Sequence, residues 1–178
     1  MFDQEGQAVD LGKRILVLGC PGSGKSTFAL RLQSETGLPL VHLDALWWLP
    51  DRTHISREEF DRRLASVIGS GQWIIEGDYS RTYEVRIAAC DTVIFLDPDE
   101  EECMRGILSR IGKKRPDMPW TEDRPDPELA ESVRNYRSQK RPVLMSLLEK
   151  YPEKQVFIFK SRAQADAWLH ELTKEAAK

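Results

Sequence analysis

The chain has 178 residues, of which 26 are Lys or Arg and 29 are Asp or Glu, for a formal charge of −3. At 40% hydrophobic and 31% charged residues, it has the balance of a globular protein long enough to bury one sizeable core. The acidic excess speaks against nonspecific DNA binding, which depends on many cationic contacts to phosphate, so DNA is not expected as a direct ligand. No apolar stretch approaches the ~20 residues of a membrane span, and no membrane association is expected.

Residues 1–12 include Asp3, Glu5 and Asp10 and lack the apolar centre of a signal peptide; they read as a loose leader. Cys20, Cys90 and Cys103 are scattered without metal-ligand spacing. Such a set suits free thiols in a reducing compartment, and a cytoplasmic location is expected.

Arg14-Ile15-Leu16-Val17-Leu18 is a short apolar run and predicts a buried strand. It leads into Gly19-Cys20-Pro21-Gly22-Ser23-Gly24-Lys25-Ser26-Thr27, which satisfies the pattern G-x-x-x-x-G-K-[ST] at every fixed position. A random chain of this length matches it roughly once in 150 at average residue usage. Phe28, Ala29 and Leu32 then recur at helical spacing, and the helix stops near Gly37 before Pro39. Strand, loop and helix in that order are the context the pattern requires.

The chemistry lies in the residue types. Glycines let successive backbone N–H groups turn inward and form an anion-binding nest, to which the helix N-terminus adds its dipole. Gly19, Pro21, Gly22, Ser23, Gly24, Lys25, Ser26 and Thr27 are therefore expected to hold ATP. Lys25 would reach the β- and γ-phosphates, and the Ser26 hydroxyl would ligate Mg²⁺.

Further strands are predicted at 40–43, 73–75, 92–96 and 155–159. Thr92-Val93-Ile94-Phe95-Leu96 and Val156-Phe157-Ile158-Phe159 are continuously apolar, as in sheets covered on both faces. Between them, Ser56-Arg57-Glu58-Glu59 is a capping box ahead of Phe60, Leu64, Val67 and Ile68. A helix is expected from about Asp99 to Ile111. Asp126-Pro127 starts a long one, which Pro142 kinks or divides. Ser161 with Gln164 opens the last. Alternating strands and helices predict an α/β fold, a doubly wound five-stranded parallel sheet, whose ligands bind beyond the carboxyl ends of the strands. The whole chain, 1–178, reads as a single domain with an acceptor-binding insert at about 44–71 and a lid at about 110–126.

Candidate chemistry sits at those strand ends. Asp44, Glu76 and Asp97 end the second, third and fourth strands. Asp97 either organises Mg²⁺ or caps the following helix. Asp44 either positions an attacking hydroxyl, holds a metal-bound water in the Mg²⁺ shell in place of Asp97, or serves in a turn. Trp47 and Trp48 could stack on an acceptor, although adjacent residues point apart and one of them could belong to the core. Gly77, Tyr79 and Arg81 follow the third strand, where Arg suits an anionic acceptor; the alternative is a plain surface turn. Between Arg110 and Arg124, Arg, Lys and Pro dominate without apolar periodicity, the composition of a functional lid. Arg110 and Arg115 could there neutralise charge on a transferring phosphoryl group, with Arg134 and Arg137 on the next helix also able to face phosphates. The three histidines show no ligand spacing.

Taken together, the loop Gly19–Thr27, the run Val41–Trp48, the segment Trp73–Thr82, the strand Asp91–Asp97, the run Lys114–Pro119 and the stretches Asn135–Arg137 and Lys140–Pro142 resemble the nucleoside-monophosphate-kinase-like P-loop proteins. Most closely the chain is similar to the adenylate-kinase-related topology modulation (FlaR-like) proteins. The resemblance implies a five-stranded parallel sheet, ATP and Mg²⁺, a small acceptor-binding insert and an arginine-bearing lid. Glu76-Gly77-Asp78-Tyr79-Ser80-Arg81 and Asp44–Trp48 stand where adenylate kinases carry their AMP-binding signatures, so AMP is not expected as the acceptor. The expected activity is transfer of the ATP γ-phosphoryl group to a nucleotide, nucleoside or related metabolite. The alternatives are a nucleotide-binding regulator with little turnover and a DNA-associated ATPase.

Overall fold

Every side chain from Ile15 to Leu18 is fully buried, which a strand achieves when helices cover both faces of its sheet. The computed structural model describes residues 10–176. Five strands, β1 (Arg14–Gly19), β2 (Leu40–His42), β3 (Trp73–Glu76), β4 (Thr92–Leu96) and β5 (Gln155–Phe159), form one parallel sheet in the order β2-β3-β1-β4-β5. The register pairs Val17 with both Glu76 and Ile94, and Gly19 with Leu96. The carboxyl ends of β1, β3 and β4 therefore finish at one level.

Strand alternation splits the core in two. Ile15, Val17, Ile74 and Ile94 pack with Phe28, Leu32, Trp168 and Leu169 from α1 (Lys25–Thr36) and α8 (Arg162–Ala176). Leu16, Leu18, Ile75, Val93 and Phe95 face the opposite layer of α3 (Arg57–Gly69), α4 (Tyr83–Ala89), α5 (Glu100–Leu108), α6 (Pro127–Asn135) and α7 (Arg141–Glu149). The short α2 (Leu43–Trp47) follows β2 directly. Burying a large apolar side chain contributes about 1.5–3 kcal/mol, so these two layers fix the sheet that holds the strand ends. With β2 and β3 on one side of β1 and β4 and β5 on the other, the connections diverge at β1, and a ligand crevice belongs above it.

Local signals set the element boundaries. Ser56 Oγ accepts the Glu59 N–H at 3.1 Å to start α3, but the Glu59 carboxylate pairs with Arg62 and Arg63, so only half of the capping box forms. Asp99 and Asp126 cap α5 and α6. Before Pro142 the chain makes one π-helical turn, Tyr136–Lys140. The proline lies at the start of α7, where its missing N–H costs nothing, and the predicted long helix is thus divided. The expected loose leader needs correction at Leu11, which is buried and whose carbonyl accepts the Thr92 hydroxyl at 2.7 Å; residues 1–9 lie outside the described residues. All three cysteines are buried and free. Among the described residues no helix is long and apolar enough to cross a membrane.

Candidate active site

The loop from β1 to α1 is held from beneath by backbone contacts. Gly22 has φ +79°, and a Cβ there would stand 2.1 Å from the Cys103 carbonyl oxygen of α5. Gly106, one helical turn further along α5, would place a Cβ 2.0 Å from the Gly22 carbonyl oxygen. Two glycines facing each other let α5 press on the loop at a distance no side chain permits. Arg162, at the start of α8, donates to the Gly22 carbonyl at 2.5 Å and lies 3.5 Å from the Glu102 carboxylate.

The loop faces a cleft of about 740 Å³, which also admits Asp44, Trp47, Trp48, Arg57, Tyr79 and Arg115. Lys25 is 9% exposed, and its ammonium group donates to the Cys20 carbonyl at 3.0 Å. Ser23 is fully buried and lines the same cleft, yet its hydroxyl has no hydrogen-bond partner. A buried ammonium held by one carbonyl and an orphaned hydroxyl are what a loop built for an anion presents. Ser26 donates its hydroxyl proton to Asp117 at 2.8 Å, with Glu76 at 3.3 Å.

The far wall grows from β2 and β3. Asp44 lies just beyond β2, within α2, and accepts the Tyr79 hydroxyl at 2.9 Å. Burial, reinforced by the neighbouring Glu76 charge, pushes the Asp44 carboxyl up to about 6, while the Tyr79 hydrogen bond and Lys25 pull the other way. Glu76 is held by His42 Nδ1 at 2.7 Å. The loop after β3 is fixed by Arg86, which is fully buried and donates to the Gly77, Asp78 and Tyr79 carbonyls, each at 3.0 Å. A guanidinium with its donors spent on backbone shapes that loop and does not reach into the cleft. Trp47 stacks on His54 at 4.3 Å and meets Phe60 edge-on at 5.4 Å.

The segment between α5 and α6 folds over this cleft. Arg115 forms a two-pronged pair with Asp117 at 3.0 and 2.6 Å, and Arg110 lies 2.9 Å from Glu122. Trp120 meets Trp48 edge-on at 5.4 Å. Arg110 and Arg115 both line the cleft.

Other expected residues stand elsewhere. Asp97 is 2% exposed and is bound by Arg141 at 2.9 Å and by Lys160; its two cations, not Ser26, claim it, and the carboxylates beside Ser26 are Glu76 and Asp117. Arg134 and Arg137 are exposed and absent from the cleft lining. Arg134 is turned outward on α6, and Arg137, in the π-helical turn that follows, donates to the Pro98 carbonyl at 3.2 Å. Arg81 reaches the rim, where Asp61 occupies it at 2.5 and 3.0 Å. Gly77, Tyr79, Trp47 and Trp48 line the cleft as expected from their place after β3 and β2. Sequence reasoning passed over Asp117 and His42. The first is signalled by being the first acid after the basic run Arg110–Arg115. The second is the last residue of β2, two positions before Asp44.

No protein-family model matches the chain, and no curated protein matches it. Solved structures do. A shikimate kinase from Bacteroides thetaiotaomicron superposes with a TM-score of 0.57 at 17% identity, covering 93% of this chain and 99% of that one. The fold is the shikimate-kinase fold. A second such structure, the shikimate kinase from Acinetobacter baumannii in complex with shikimate, gives 0.56 at 14% identity over 94% of this chain and 96% of its own. The shikimate-kinase fold is an α/β P-loop fold of the nucleotide-kinase kind, with a five-stranded parallel sheet flanked by helices.

The residues present fit a magnesium nucleotide. Among the described residues no group of three or more His, Cys, Asp or Glu gathers to enclose a metal ion. Mg²⁺ does not need one, since it keeps several waters and takes one or two protein oxygens beside substrate phosphates. Ser26 offers such an oxygen next to Lys25.

Proposed function

We propose that the chain is an ATP-dependent small-molecule kinase that transfers the γ-phosphoryl group to a hydroxyl of a nucleotide, nucleoside or related metabolite. One observation carries this reading: the phosphate loop with its buried Lys25 opens into the same cleft as Asp44, a carboxyl tuned to about 6. A general base works best with its pKa near the working pH.

In this reading Lys25 and the loop amides hold the β- and γ-phosphates. Ser26 would hold Mg²⁺, which neutralises charge developing on the phosphates. Asp44, oriented by Tyr79, accepts the proton of the attacking hydroxyl. Arg110 and Arg115 close over the transferring group and stabilise its charge. Residues 44–71 form the acceptor-binding insert and 110–126 the lid of one domain. Trp47, Trp48, Gly77 and Tyr79 shape the acceptor side, with Arg81 at its rim. Kinship with the topology modulation proteins rests on the motif run quoted above. The three free, buried cysteines favour a reducing cytoplasm.

The test is Mg²⁺-dependent conversion of ATP to ADP, alone and against a panel of nucleotides, nucleosides, sugars and DNA. Shikimate belongs in that panel because a similar structure was solved with it. Strong stimulation by one small acceptor, with a phosphorylated product, is expected. A flat panel with tight ATP binding would replace the kinase by a nucleotide-binding regulator, and stimulation by DNA alone would make it a DNA-dependent ATPase.

A further inference from the structure

Two carboxylates share one hydroxyl at the phosphate loop, and one of them comes from the lid. Asp117 accepts the Ser26 proton at 2.8 Å, and Glu76 lies at 3.3 Å. Each is 2% exposed. Asp117 is 91 residues from Ser26 in sequence, so the contact exists only while the segment after α5 lies over the cleft. The acid at the end of β4, Asp97, is held by Arg141 and Lys160 instead.

A hydroxyl that gives its proton to a carboxylate keeps its lone pairs free for a hard cation. The carboxylate then stands where it accepts hydrogen bonds from the waters of that cation and orients them. The bare carboxylate is made tolerable in its buried position by the two-pronged Arg115 pair. A ligand at this place is indicated separately by Ser23, fully buried in the same cleft with an unpartnered hydroxyl. It is indicated also by Lys25, whose single hydrogen bond to Cys20 leaves two ammonium protons for an anion.

We propose that Asp117 is the positioning residue of the divalent-cation site, supplied by the lid, so that metal binding and lid closure are one event. The inference rests on the nucleotide-binding reading above. It assigns the lid a purpose beyond covering the cleft. Arg115, two residues away and paired to Asp117, is brought over the phosphates by the same contact, and the catalytic cation of the lid arrives only when the metal does.

The experiment measures binding of a non-hydrolysable ATP analogue to the full chain, first in EDTA and then with Mg²⁺. It follows tryptophan emission, since Trp120 of the lid meets Trp48 of the insert at 5.4 Å, and tryptic cleavage of the lid. The unaltered protein should bind more tightly, and resist cleavage better, once Mg²⁺ is added. Asp117→Asn should bind the analogue in EDTA like the unaltered protein but lose about 10–100-fold of the Mg²⁺-dependent gain, together with the lid protection. Asp117→Glu, which keeps the charge, should recover part of both. Ser26→Ala combined with Asp117→Asn should be no worse than Ser26→Ala alone, because the second residue acts through the first. A full Mg²⁺ gain in Asp117→Asn, an equal loss in EDTA and in Mg²⁺, or additive losses in the double variant would each overturn the proposal. If the unaltered protein binds no analogue in either condition, the nucleotide-binding reading falls with it.

Discussion

Seven consecutive residues, Pro21 to Thr27, form one wall of the cleft, whereas the opposite side draws Asp44, Glu76, Tyr79, Arg115 and Asp117 from three separate segments. The first wall is braced by backbone against backbone, Gly22 on α5 and Gly106 on the loop. The second is held by side chain on side chain: Tyr79 on Asp44, His42 on Glu76, Asp117 on Ser26. A local motif carries its own geometry, so the first wall needs only its own sequence. The second needs the whole fold. In a site divided this way, substitutions on one side should strike nucleotide binding and those on the other should strike turnover or its pH dependence.

Lys25→Ala should have the largest effect. Removing a preorganised charge at the phosphates costs about 10²–10³-fold in turnover, and here ATP binding should fail as well, with the circular dichroism of the domain unchanged. Unchanged ATP affinity and turnover would contradict the phosphate-loop assignment.

Asp44→Asn should separate the two sides. Losing a positioned base costs about 10²–10⁴-fold in kcat, while the affinity for ATP should stay. The pH profile supplies a second reading. Below about 6 the Asp44 carboxyl holds its proton and cannot act as base, so activity should rise through that pH. Tyr79→Phe removes a hydrogen bond that lowers this pKa, and the acidic limb should move upward. Stability runs the opposite way. The folded pKa lies above the ordinary 3.8, so the folded state binds the proton more tightly than the unfolded chain. The Asp44 charge therefore costs stability as pH rises from about 4 through 6. Asp44→Asn should raise Tm relative to the unaltered protein at pH 8 and not at pH 4.

The same division explains how much could be read in advance. The five strands, their parallel order of sheet and helix, and the glycine-rich turn from β1 into α1 were legible because continuous apolar runs and a fixed glycine spacing depend on neighbours in sequence. Asp44 was legible from its place at the end of β2. Asp97 shared that signal, and what the sequence does not display is that Arg141 and Lys160, 44 and 63 residues away, converge on it. Arg86, five residues after Arg81, is wholly buried where α4 carries it beneath the loop, whereas Arg81, ahead of α4, turns outward to Asp61. Asp117 was hidden for the reason that makes it interesting: its partner is 91 residues away.

Gly106→Ala probes the bracing of the phosphate loop from a residue outside the motif. In an exposed helix this change gains about 1 kcal/mol. Here the added methyl would meet the Gly22 carbonyl oxygen at 2.0 Å and the Arg162 guanidinium at 2.3 Å. Overpacking against backbone costs about 1–3 kcal/mol, and the loop must shift to relieve it. The expected result is a lower Tm together with weaker ATP binding and an unaltered acid limb. A Tm at or above that of the unaltered protein would show that α5 does not brace the loop.

The smallest effects should come from Arg134→Ala and Arg137→Ala, and they sharpen the comparison by contrast with Arg115→Ala. All three arginines look alike in sequence, within one stretch of the lid and the helix after it. Arg115 is half-buried in the cleft and paired to Asp117; Arg134 and Arg137 are exposed outside it. Surface substitutions of this kind stay within about 0.5 kcal/mol in stability, and neither should change KM for ATP or kcat. A tenfold fall in kcat for either variant would mean that α6 swings its outer face over the phosphates during turnover, and the acceptor wall would then have to include it.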